Sequence, residues 1–196
     1  IKKSYIYDFS NIYINPSKVN KYLNSYSDLI EKDIKNKFVE LNLDENFVIY
    51  ANGGFGRKEM FPSSDVDISI IEIKKTKTFG DLEKLISYLW DQGYKVGHSV
   101  RTIKDIKKIS KIDLKEYTSY LTRRPLITNI NIDKKITYAL LNLWSKKKFF
   151  KHKLEEQKNR HIEFYSTAYN LEPNLKESPG TLRDFQTALW ILQHCF

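Results

Sequence analysis

Two aspartates one residue apart, Asp65 and Asp67, follow a pair of glycines, Gly53 and Gly54, and these four have the types and spacing for phosphoryl chemistry. Side chains on a strand alternate faces, so Asp65 and Asp67 are expected to share one side while Val66, Ile68 and Ile70 face a core. Two carboxylates at a strand end can hold a hard cation such as Mg²⁺, which keeps waters and takes one or two carboxylates plus substrate phosphates. With two ions roughly 3.5–4 Å apart, such a pair clamps the attacking and leaving oxygens of an in-line displacement. Asp65 and Asp67 are therefore both the candidate metal ligands and the candidate catalytic residues, and Mg²⁺ is the expected cofactor.

The glycines suit the other end of such a substrate. Without Cβ atoms the backbone at Gly53 and Gly54 can approach a triphosphate closely, and a helical turn expected through Phe55 to Met60 would offer free N–H groups at its start. Arg57 is a candidate for charge-assisted phosphate contacts. Ser64, just before the acids, is a candidate donor to phosphate or metal-bound water. Taken alone, Gly-Gly is an ordinary turn and Asp-x-Asp a solvated strand edge. Their order and short separation, with apolar residues around the acids, make the combination specific.

The elements that must position these residues are legible in the apolar pattern. Val19, Tyr22, Leu23, Tyr26, Leu29 and Ile30 fall at three- and four-residue steps, predicting a helix from Ser17 to about Leu41. Phe47 to Ala51 reads as a short buried strand ending in the glycine turn, and Asp65 to Ile73 as a second strand. Leu82, Leu85, Ile86, Leu89 and Trp90 mark another helix, and Tyr94 to Arg101 a third strand. From about Leu114 the pattern is helical throughout: Ile136, Ala139, Leu140, Leu143 and Trp144 share one face, and the charged stretch Lys146 to Arg160 follows. A loop from Asn170 to Gly180 leads into a last helix from about Thr181 to Gln193. The expected fold class is α+β, a small mixed sheet followed by a helical region. Its expected parts are a helical lead-in over 1–44, a core over 45–112 and the helical region over 113–196.

Composition narrows the partners. Lys plus Arg number 33 against 24 Asp plus Glu, a formal charge of +9, which favours anionic partners without choosing among them. Much of it is Lys scattered among Asn, Ile and Tyr, as a solvated basic surface would show. The single Cys195 makes no internal disulfide, and no Cys and His cluster has zinc-ligand spacing. No apolar run reaches the roughly 20 residues of a membrane span, and the first residues lack the apolar stretch of a signal peptide, so a cytoplasmic protein without membrane partners is expected. No interleaved aromatic platform of the kind nucleic acid stacks on is present.

The Gly-Gly followed by Asp-x-Asp resembles the signature of the DNA polymerase β nucleotidyltransferase superfamily. More narrowly, GGFGRKEMFPSSDVD from Gly53, LWDQGYKVGHSVRT over 89–102 and YNLEPNLKESPGTLRDFQT over 169–187 resemble the bifunctional uridylyltransferase/uridylyl-removing enzymes of nitrogen regulation. The resemblance runs over residues 47 to 193. It implies a nucleotidyltransferase core over 45–112, Asp65 and Asp67 as metal ligands, and Gly53 and Gly54 as the nucleotide-positioning turn. The implied reaction is transfer of UMP from UTP to a tyrosine hydroxyl of the PII signal protein, releasing pyrophosphate. Three departures stand out. His98, His152, His161 and His194 all lack a following Asp, so the paired His-Asp ligands of the family's hydrolytic arm are not expected. The family's glutamine-sensing domains are likewise not expected here. Finally, the loop reads Pro179-Gly180-Thr181 where Pro-Gly-Gly is usual.

Weaker candidates carry blander readings. Asp113 is the nearest acid for a third metal ligand, but Asp113-Leu114-Lys115-Glu116 fits a capping box, which is favoured. His98 is read as a satisfied polar residue rather than a base, and Ser99 and Arg101 as candidates to line the cleft. Glu172, Asn174 and Arg183 suit internal ties between helices and nucleotide recognition equally well. Phe149, Phe150, Phe164 and Tyr165 are read as core. Beside protein uridylylation stand two alternatives: nucleotidyl transfer to another protein or small molecule, and a non-catalytic nucleotide- or protein-binding module.

Overall fold

A computed structural model describes residues 16–43, 45–61, 63–75, 79–164 and 174–196. In chain order these form α1 (Pro16–Glu40), β1 (Phe47–Ala51), α2 (Gly53–Gly56), β2 (Val66–Glu72), α3 (Phe79–Asp91), β3 (Val96–Thr102), α4 (Ile103–Ile112), α5 (Leu114–Leu121), β4 (Arg124–Ile127), α6 (Ile130–Leu140), α7 (Lys146–Glu163) and α8 (Leu182–Cys195). The described residues fall into two compact units. One holds the chain up to Ile109 together with Ser119–Leu140, and the other holds Ser110–Thr118 with Leu141–Phe196.

The first unit is built on a four-stranded sheet of order β3-β2-β1-β4. β2 runs antiparallel to β1 and parallel to β3, and β4 runs antiparallel to β1, so the sheet is mixed, as expected. β1 is apolar throughout and buried throughout, because it lies between two strands with both faces covered. On α1 the buried stripe is Ser27, Ile30, Ile34 and Phe38, with Tyr22 on the exposed side. Burial of each such aliphatic or aromatic side chain is worth roughly 1.5–3 kcal/mol relative to exposure. Leu82, Leu85, Ile86 and Leu89 of α3 join the same core with Phe47, Ile49, Phe55, Ile68 and Ile70. Trp90, expected on that face, is instead 54% exposed, since it falls past the edge of the stripe.

Two expectations are corrected. The helical turn foreseen through Phe55 to Met60 lies earlier, at Gly53–Gly56, and the chain leaves it through Lys58, whose φ of +59° cannot continue a right-handed helix. The region after residue 113 is not all helical: Arg124–Ile127 pairs with β1 through Ala51↔Arg124, Tyr50↔Pro125 and Ile49↔Ile127. Pro125 argues against a strand in the sequence, yet β4 is an edge strand, where a missing N–H is tolerated. Residues 119–140 thereby belong to the sheet unit.

In the second unit, α7 starts at Ser145, whose Oγ accepts from the Lys148 N–H (3.3 Å). The helix expected to reach Trp144 ends at Leu140, with Asn142 left-handed at φ +60°. Trp144 then donates its indole N–H to the Ser110 carbonyl (2.8 Å). Phe149 is fully buried beside Tyr117 and His194, whereas Phe150 is exposed and Phe164 is half-buried. Tyr165 lies outside the described residues. Asp113 caps α5, its Oδ1 accepting from the N–H groups of Lys115 (2.8 Å) and Glu116 (3.2 Å), as the capping reading required. Among the described residues, no helix is long and apolar enough to cross a membrane.

Candidate active site

The candidate site forms where the C-terminal end of β1 meets the N-terminal ends of β2 and β3. The β1–β2 ladder extends one step beyond Ala51↔Ile68, because the Asn52 N–H donates to the Asp67 carbonyl at 2.9 Å. That bond sets the glycine turn directly beside the second aspartate. Gly53 then takes φ +54°, a left-handed conformation that favours glycine, and the chain closes one turn by Gly56 N–H to Asn52 O (2.7 Å) and Arg57 N–H to Gly53 O (3.2 Å). The first N–H groups of such a turn have no partner within it, which is the feature an anionic ligand can use.

Asp67 is exposed between the buried Val66 and Ile68, so the alternation expected of β2 holds around it. Its carboxylate lies against two glycines. A Cβ on Gly53 would sit 2.8 Å from Oδ2, and one on Gly97 would sit 2.7 Å from Oδ1. Gly97 is the register partner of Asp67 across the parallel β2–β3 pair. Any other residue at either position would displace the carboxylate. Gly97 was missed in the sequence; the available signal was a glycine inside a strand, which often marks close approach of another group. By contrast a Cβ on Gly54 would meet only the Glu59 carbonyl, at 3.5 Å, an ordinary contact.

The remaining candidates are close in sequence and engaged locally. Asp65 is exposed immediately before β2. Ser64 Oγ accepts from the Phe61 N–H (3.1 Å), closing a turn that delivers the chain to the acids. Arg57 donates through Nε to Glu59 Oε2 (2.7 Å), so a phosphate would have to compete with that carboxylate. Behind the turn, the buried Asn52 amide donates to the buried Ser69 hydroxyl of β2. Arg101 donates to the Tyr120 hydroxyl (3.1 Å), and the exposed His98 lies edge-on to Trp90 with ring centres 6.3 Å apart. Among the described residues no group of three His, Cys, Asp or Glu could together hold a metal ion. The donor set at this end of the sheet is thus two carboxylates, which fits Mg²⁺ completed by water and phosphate oxygens.

The loop before α8 is built differently. Asn174 Oδ1 accepts from the N–H groups of Lys176 (3.0 Å) and Glu177 (2.9 Å), and Arg183 reaches Glu177 (3.0 Å) and Gln186 (2.9 Å). The Asp184 carboxylate accepts from Gln157 (2.8 Å), His161 (3.0 Å), the Gly180 N–H (2.7 Å) and Arg160. Burial pushes this carboxyl up, but hydrogen bonds from Gln157, Gly180 and His161 outweigh it and hold the pKa at about 2. Asn174 and Arg183 therefore serve as internal ties. Glu172 lies outside the described residues.

Comparisons with known proteins bear on the whole. The family model described as GlnD PII-uridylyltransferase matches residues 148–196. A bifunctional uridylyltransferase/uridylyl-removing enzyme from Hydrogenovibrio crunogenus is 37% identical over 174 residues, covering 88% of this chain and 20% of the relative. Another, from Idiomarina loihiensis, is 40% identical, covering 78% of this chain and 18% of the relative. The chain thus spans about a fifth of the length of these relatives. A solved toxin-antitoxin structure with AMP-PNP aligns with 67% of the chain at 14% identity and a TM-score of 0.39, too loose a likeness to carry an argument. By sequence, from the glycine turn and paired aspartates through α8, the chain is a relative of the bifunctional uridylyltransferase/uridylyl-removing enzymes.

Proposed function

We propose that this chain carries a nucleotidyltransferase site that moves UMP from UTP to a tyrosine hydroxyl of a PII-type signal protein. The observation that supports it most is the Asp67 carboxylate lying between Gly53 and Gly97, one backbone hydrogen bond from the start of the glycine turn. Nucleotide-positioning backbone and metal-ligating acid are thereby adjacent. In the proposed reaction the acceptor oxygen attacks the α-phosphorus of UTP. The new O–P bond forms as the bond to the bridging oxygen breaks, the hydroxyl proton is lost, and pyrophosphate leaves.

Asp65 and Asp67 would hold Mg²⁺, which when bound supplies positive charge to the phosphate oxygens. Gly53 and Gly54 admit the triphosphate to the backbone N–H groups, and Arg57 turns from Glu59 toward phosphate when nucleotide arrives. The uridylyl group is supported by the names of the relatives and the PII acceptor by the description of the family model that matches residues 148–196, and the protein is expected to work in the cytoplasm.

The test incubates the purified protein with each labelled nucleoside triphosphate and Mg²⁺, with and without PII. Label from UTP on PII, lost in Asp65→Asn, is the expected result. Label on PII from another nucleotide would overturn the base assignment, and no transfer to PII would overturn the acceptor.

A further inference from the structure

The glycine turn has an anchor that lies far from it in the sequence. α2 is a single turn of four residues, Gly53–Gly56, three of them glycine. So short and glycine-rich a helix has no stability of its own, since helix nucleation is costly and glycine adds backbone entropy. At its C-terminal end the backbone supplies one donor, the Lys58 N–H to the Phe55 carbonyl (3.2 Å), and the carbonyls there retain lone pairs for a side-chain donor. Arg124, the first residue of β4, is that donor. Its Nε donates to the Gly56 carbonyl (3.0 Å), its Nη2 to the Phe55 carbonyl (3.2 Å), and its Nη1 to Glu31 Oε2 on α1 (2.6 Å). The guanidinium also lies over the Phe55 ring, 5.6 Å from its centre.

The surroundings leave little slack. Arg124 pairs with Ala51 across the β1–β4 ladder, and Gly56 is so close to the same strand end that a Cβ there would sit 2.9 Å from the Ala51 carbonyl. Arg124 and Glu31 are largely buried, with side chains 22% and 16% exposed. Burial raises the Glu31 carboxyl, yet hydrogen bonds from Lys35 and Arg124 outweigh this and hold it below its ordinary value, so it stays charged against the arginine at neutral pH.

We propose that Arg124 is a positioning residue for nucleotide binding: its guanidinium fork fixes the far end of α2 to α1 and β4 and so aims the Gly53-Gly54 backbone at the triphosphate. This rests on the reading of that turn as the nucleotide cradle. A lysine retains the charge but presents a point donor where three acceptors are spread around a planar fork.

The experiment compares Arg124→Lys, Arg124→Ala and Glu31→Gln with the unaltered intact protein, measuring transfer from UTP and amide hydrogen exchange over residues 53–57. Arg124→Lys is expected to raise KM for UTP about tenfold with kcat within about threefold, because the turn is misaimed while the acids are untouched. Exchange at Gly56 and Arg57, whose N–H bonds close the turn, is expected to accelerate in the same variant. Arg124→Ala is expected to exceed these changes and to lower Tm, and Glu31→Gln, which loosens one arm, to fall short of them. If Arg124→Ala does not fold, the lysine and glutamine variants still decide the matter. Unchanged KM and unchanged exchange in Arg124→Lys would overturn the proposal, as would a fall in kcat alone. Asp65→Asn, assayed alongside, separates the two ideas: transfer that survives it removes the functional reading, while exchange at the turn still reports on Arg124.

Discussion

Asp67 and Asp184 are both short acids at the ends of secondary structure, and they are held in opposite ways. Asp184 is saturated: three side chains and a backbone N–H converge on one carboxylate and tie the loop before α8 to α7. Asp67 stands exposed on β2, and the chain makes room for it by leaving out two side chains, at Gly53 and Gly97. The first arrangement spends a charge on fixing the fold. The second presents a charge at a surface beside backbone N–H groups, an arrangement suited to a cation and a phosphate. Acidity and position in the sequence do not distinguish the two; exposure, and the glycines packed against Asp67 where side-chain donors meet Asp184, do.

The largest expected effect would come from the exposed pair. Asp65→Asn or Asp67→Asn keeps the shape but removes a charge from the proposed metal site, and should lower the proposed transfer by at least about 100-fold with Tm unchanged. Comparing steady-state rates with thermal unfolding checks both halves. Retained turnover in either variant, with Mg²⁺ present, removes that acid from the site.

Asp184→Ala should act on stability, costing about 2 kcal/mol in denaturant unfolding as its charged hydrogen bonds are lost. Its pH signature follows from the lowered pKa. The unfolded carboxyl takes up a proton near its ordinary value of 3.8 and the folded one only at about 2, so the stabilisation is complete above the first and lost as pH falls toward the second. Acid unfolding of Asp184→Ala should lack that component, whereas Asp65→Asn should retain it. A similar acid profile in unaltered protein and Asp184→Ala would break the contrast between the two acids.

Gly97→Ala should lie between the two kinds of effect. Its Cβ would press on Asp67 Oδ1, so transfer should fall about tenfold, with a smaller loss of stability because the strand edge can shift. Unchanged activity and an unchanged metal requirement would show that the cleared space is not needed. The smallest effect on the fold is expected at Gly54. A Cβ there meets nothing closer than the Glu59 carbonyl at 3.5 Å, so Gly54→Val should leave Tm within about 1 °C of the parent while weakening UTP binding several-fold. Undiminished binding by a folded Gly54→Val would show that nucleotide does not approach that backbone.

Local pattern determined much of this protein. β1 was readable because a run of apolar residues ends at Asn52-Gly53-Gly54, and the facing of Asp67 because alternation on a strand is a property of the backbone. The Asp113 cap was readable because it involves only residues that follow within three positions. What escaped the sequence depends on partners distant along the chain. β4 carries Arg124 and Pro125 and becomes a strand only because the edge of β1 offers it a ladder. Gly97 has meaning only once β3 lies parallel to β2 with that residue opposite Asp67. Arg124 acts on carbonyls 68 and 69 positions earlier in the chain. Tertiary structure decided these, because register between strands and the reach of a guanidinium are set by how elements assemble, and no short window of residues contains both partners.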